Sequence, residues 1–70
     1  MDFGTMNTMS KFYDMRNKML TENNDVNRKD FSKIYLQLLS DIKGEYKRKT
    51  ITKDEYYNLL KKYHDDFVSA

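Results

Sequence analysis

Seventy residues and 8.5 kDa fit one domain with a small core, and thirteen basic against eleven acidic residues leave a net charge of only +2. The absence of cysteine excludes disulfide staples and thiolate metal sites, and no stretch approaches the roughly 18 apolar residues of a membrane span. Neither gross charge nor thiols therefore points to a partner, and local patterning has to.

Proline is absent and glycine occurs only at Gly4 and Gly44, so element boundaries must come from caps and periodicity. The opening, Met1 to Ser10, is polar and has no basic segment followed by an apolar one; residues 1–7 are expected to be flexible and the protein cytoplasmic. Lysine far exceeds arginine and alanine occurs only at Ala70, a composition suited to a low-GC bacterium or its phage.

The first helix is expected over about residues 8–21. On a wheel, Phe12, Met15 and Met19 form one apolar stripe, while Met6, Met9, Tyr13 and Leu20 form another with Arg16 between the two. Met and Tyr suit an adaptable contact surface, and Arg16 could lay its stem along it while its guanidinium meets a carboxylate in the bundle or on a partner. Met6, Met9, Tyr13, Arg16 and Leu20 are therefore the candidate protein-binding residues, although a stripe at helical spacing also serves as core.

Glu22-Asn23-Asn24-Asp25 breaks the chain, and a second helix is expected over 27–47, capped by Asn27, with Asp30 at the reciprocal box position and Val26 stapled onto Phe31. Phe31, Ile34, Tyr35, Leu38, Leu39, Ile42 and Tyr46 fall within an arc of about 140°, the breadth a centrally packed helix needs. Gly44 could end this helix early; Tyr46 argues that it continues to Lys47 at a cost near 1 kcal/mol. On its outer flank Lys29, Lys33, Lys43 and Lys47 share a face with Leu36 and Ser40, and Arg48 and Lys49 extend it into the loop. Such a basic row, roughly 30 Å long, could follow a phosphate backbone, although a solvated lysine face is the commoner use of it.

The third helix, 52–68, starts with a capping box in which Thr52 caps, Glu55 reaches back and Ile51 packs on Tyr56. Tyr56, Leu59, Leu60, Tyr63 and Phe67 form its apolar stripe. The helix 2 and helix 3 segments align at an offset of 25 residues, which shared capping and helical period explain without duplication. The run Ile51-Thr52-x-Asp54-Glu55-Tyr56-x-x-Leu59 resembles the second-helix start of short C-terminal helical-hairpin domains of bacterial proteins. The glycine usual there is replaced by Lys47-Arg48-Lys49-Thr50, and the likeness implies a helix start only.

Chemistry is sparse. His64, the one histidine, has Leu60, Lys61, Phe67 and Val68 at the spacings where a second helical metal ligand would stand. Matching Glu55 to the last ligand of a calcium loop puts Gly44, Tyr46 and Arg48 where acids belong. No phosphate-binding glycine loop can be built from two isolated glycines, and Asp54 and Glu55 would meet phosphates if helix 3 entered a DNA groove. The expectation is an all-α three-helix bundle without catalytic activity, metal or cofactor, with dimerisation as one way to complete its core. It would bind and modulate a larger protein, the alternatives being nucleic-acid binding through the lysine flank or self-associating scaffolding, with no membrane partner.

Overall fold

A computed structural model describes all 70 residues and shows three helices and no strands: α1 (Phe3–Thr21), α2 (Asp25–Lys47) and α3 (Lys53–Val68). Loops of a few residues make successive helices antiparallel neighbours. At 23 residues α2 is about 34 Å long by its rise per residue, and it sets the long axis of a body measuring 37 × 20 × 14 Å. No helix is long and apolar enough to cross a membrane.

The core is Phe12 and Met19 from α1, Phe31, Leu38 and Ile42 from α2, Ile51 from the second loop and Tyr63 from α3. Phe12 is its hub: its ring lies 5.0 Å from Phe31 and 5.1 Å from Tyr63, joining all three helices by aromatic contacts. Tyr35 stacks on Phe67 at 4.2 Å and Tyr46 on Tyr56 at 4.5 Å, clamping α3 to α2 near both of its ends.

Two expected boundaries are corrected. α1 begins five residues earlier than residue 8, because Asp2 is a helix cap: its carboxylate accepts the Thr5 N–H at 2.9 Å. Residues 3–7 are thus helical. α2 is capped by Asn24, not Asn27, and Asp25 in the first turn complements the helix dipole. Asn27 instead turns inward and donates to the Glu22 carbonyl at 2.9 Å, tying the end of α1 to the start of α2. Val26 stays 70% exposed and staples nothing.

The capping box of α3 forms as its sequence implies, with Thr52 accepting from the Glu55 N–H and Glu55 from the Thr52 N–H. The Thr52 N–H foremost, with the Thr52 hydroxyl beside it, holds the Glu55 carboxyl below its ordinary ionisation range. α2 runs through Gly44 to Lys47. It ends in a Schellman turn: the Lys49 N–H donates to the Tyr46 carbonyl and the Thr50 N–H to the Glu45 carbonyl, with Lys49 at φ 61° where glycine is usual.

Candidate functional site

The first turn of α1 is fixed by a carboxylate inside the fold. Glu45 lies at the helical phase of Leu38 and Ile42 on α2 and is fully buried. Its Oε2 accepts from the Thr5 hydroxyl at 2.6 Å, the Asp2 N–H at 3.2 Å and Arg48 Nη2 at 3.1 Å, while Thr50 donates its hydroxyl to Oε1. The hydroxyls of Thr5 and Thr50 foremost, helped by the Asp2 N–H and Arg48, outweigh burial and lower its pKa to about 2. One side chain thus binds the start of α1, the end of α2 and the loop to α3.

Beside it Thr8 donates to Asp41 at 2.7 Å, Gln37 donates to the same carboxylate at 2.8 Å, and these groups line a polar groove with Asp2, Gly44 and Arg48. No buried polar side-chain atom is left without a partner, and Asp2, Gln37, Ser40 and Arg48 in the groove's lining are open to solvent. No three His, Asp or Glu side chains converge closely enough to hold a metal ion, and His64 is exposed beside Asp65 at 3.6 Å. A second hollow, of about 170 Å³, opens at the far end of the core among Met19, Arg28, Phe31, Phe67 and Ala70.

The five residues proposed from sequence for a protein contact divide. Arg16 donates from Nε to the Asp66 carbonyl at 3.0 Å and from Nη2 to Ser69 Oγ at 3.2 Å, and the Tyr13 hydroxyl donates to Asp66 Oδ2 at 3.2 Å. Both serve to attach α1 to α3. Met9 is half-buried against the core, whereas Met6 and Leu20 are exposed, about 21 Å apart along the helix.

Phe3, missed by a reading that began the helix at residue 8, is 90% exposed, and Met6 one turn later is 53% exposed. Phe3, Met6 and Met9 therefore form a ramp descending from solvent toward the core. The signal was present: Asp2 is a cap residue, and the spacing 3, 6, 9, 13 is helical.

On α2 the lysine flank is laid out as its periodicity requires. Lys29, Lys33, Lys43 and Lys47 are all exposed on the face opposite the core, with Leu36 and Ser40 among them. Arg48 leaves that row: it turns to α1, pairing with Asp2 at 3.3 Å and Glu45 at 3.1 Å, because its phase lies on the Asp41–Glu45 side of the helix. Lys49 is exposed in the Schellman turn. Comparisons with protein families, curated proteins and solved structures find no match to this chain.

Proposed function

We propose that the chain is a non-catalytic binding protein that docks onto a larger protein and modulates it, with Phe3, Met6 and Met9 as the contact. The observation that carries this reading is a rigidly held turn with an apolar outer face. Asp2, Thr5, Arg48 and Glu45 fix the first turn of α1 by hydrogen bonds, yet the side chain it displays most openly is a phenylalanine.

Preorganisation of this kind lowers the ordering cost of association, and an aromatic side chain on a fixed helix is the usual shape of an interface anchor. Burying one such side chain is worth about 1.5–3 kcal/mol, so a pair of anchors contributes about 3–6 of the roughly 8 kcal/mol of a micromolar complex. Leu20, at the other end of α1, and Arg16, bonded within the bundle, are peripheral to this contact.

The test is quantitative affinity capture from native host lysate, after nuclease treatment, with the wild-type chain and with Phe3→Ala/Met6→Ala. A stoichiometric protein held by the wild type and retained at least about tenfold less by the double variant, at unchanged thermal midpoint, is the expected result. Equal retention by both chains rejects the ramp as the contact. Sedimentation at several concentrations runs beside it: a dimer that dissociates in the double variant would mean that the occupant is a second copy.

A further inference from the structure

A second surface, on a different helix, has a chemistry unlike the first. Lys29, Lys33, Lys43 and Lys47 lie within about 80° of one another on the α2 wheel, and about 27 Å separates the first from the last along the axis. All four are exposed, and none has a carboxylate within ion-pair distance; Arg48, paired with Asp2 and Glu45, is the Lys or Arg side chain that does. Of the acids of α2, only Asp25 shares the phase of the row, at its N-terminal end one turn before Lys29, and it makes no ion pair there; the others are engaged elsewhere or turned away. Asp41 is taken by Thr8 and Gln37, Glu45 is buried, and Asp30 lies near their phase, off the row.

At the N-terminal end, Arg28, Lys29, Ser32 and Lys33 line a shallow hollow of about 430 Å³ with Asp25, and no apolar side chain faces it. The row is stiff, because α2 is capped at both ends and packed against both neighbours.

We propose that this flank of α2 binds the phosphate backbone of a nucleic-acid duplex lengthwise, without reading bases. Charge complementarity selects the occupant. A straight row of ammonium groups free of ion pairs matches a line of phosphates, and the hydrogen-bonding side chains beside it, Asp25, Arg28, Ser32 and Ser40, are too few to specify sequence. An anionic membrane is a poorer match, since a helix lying on lipid must bury an apolar face there and that face of α2 is spent on Phe31, Leu38 and Ile42. This surface is independent of the proposed protein contact.

The experiment is fluorescence anisotropy of the whole chain with a 24-base-pair mixed-sequence DNA duplex, the same sequence as an RNA duplex, and poly-glutamate, between 50 and 200 mM salt. Four phosphate contacts predict a log–log salt slope of about −3.6, which is about a 150-fold loss of affinity over that range. Lys29→Gln/Lys47→Gln should halve the slope, and changing all four lysines should abolish binding. Lys11→Gln/Lys18→Gln, the same charge change on α1, should leave the slope within error, and the helical circular dichroism of every variant should match wild type.

No duplex binding at 50 mM salt, equal sensitivity to the α1 and α2 pairs, or equal affinity for poly-glutamate would each overturn the proposal. The two duplex arms decide whether DNA or RNA is preferred, and Phe3→Ala/Met6→Ala should bind both as the wild type does.

Discussion

Glu45 keeps its charge inside the fold because its carboxylate is surrounded by donors before it is surrounded by apolar atoms. Its folded pKa of about 2 lies below its ordinary 4.5, so the ionised form favours the native state. That stability is fully present above about pH 5 and is lost as the pH falls through 4 toward 2. Glu55, lowered by its Thr52 cap, acts with the same sign. Thermal midpoints measured from pH 7 to pH 2 should therefore fall on the acid side, and Glu45→Gln should start lower at pH 7 and show a flatter acid limb. An identical limb in the variant would mean that other carboxylates carry the effect. Lys49 is the opposite case, a residue that costs stability. An L side chain at φ 61° is strained by roughly 1 kcal/mol, so Lys49→Gly should raise stability by about that amount in urea titration, with an unchanged slope.

At the scale of elements, the capping box of α3 was legible outright because Ile51, Thr52 and Glu55 are local chemistry read at fixed offsets. The apolar arc of α2 was equally legible, and the stacking of Tyr46 on Tyr56 explains why the helix continues through Gly44. The start of α1 was not. Asp2 is an ordinary cap signal, but what holds the turn is Glu45, 43 residues away, and a sequence pattern that sorts residues by hydrophobicity places a glutamate outside. Thr5 and Thr8 were hidden for the same reason, being polar residues at buried phases of α1. Arg16 was recognised as a misfit on an apolar face, but its partner on α3 lies 50 residues away and follows only from tertiary packing. Removing the anchor should therefore act locally: Thr5→Val should speed amide hydrogen exchange over residues 3–9 while α3 keeps its protection. Loss of protection across all three helices would show instead that the Glu45 cluster governs the global fold.

For the whole molecule, a core of seven buried apolar residues makes each of them expensive to lose. Phe12 touches Phe31, Tyr35 and Tyr63 and has no exposed surface, so Phe12→Ala should cost about 3–5 kcal/mol, a large part of the 5–15 kcal/mol that such domains hold. In thermal denaturation that variant should melt far below the wild type or show no cooperative transition. The proposed binding surfaces behave differently, since Phe3, Met6 and the four lysines contribute little to the core and lie on the outer faces of separate helices. Truncating either set should leave the melting temperature within about 2 °C of wild type, and their effects on stability should add, as for residues without shared partners. Combining Phe3→Ala/Met6→Ala with Lys29→Gln/Lys47→Gln gives the decisive measurement, a thermal midpoint for each pair and for the quadruple variant. Additive small shifts mean that each surface is held ready by the bundle without supporting it, whereas a cooperative collapse would make both of them parts of the fold.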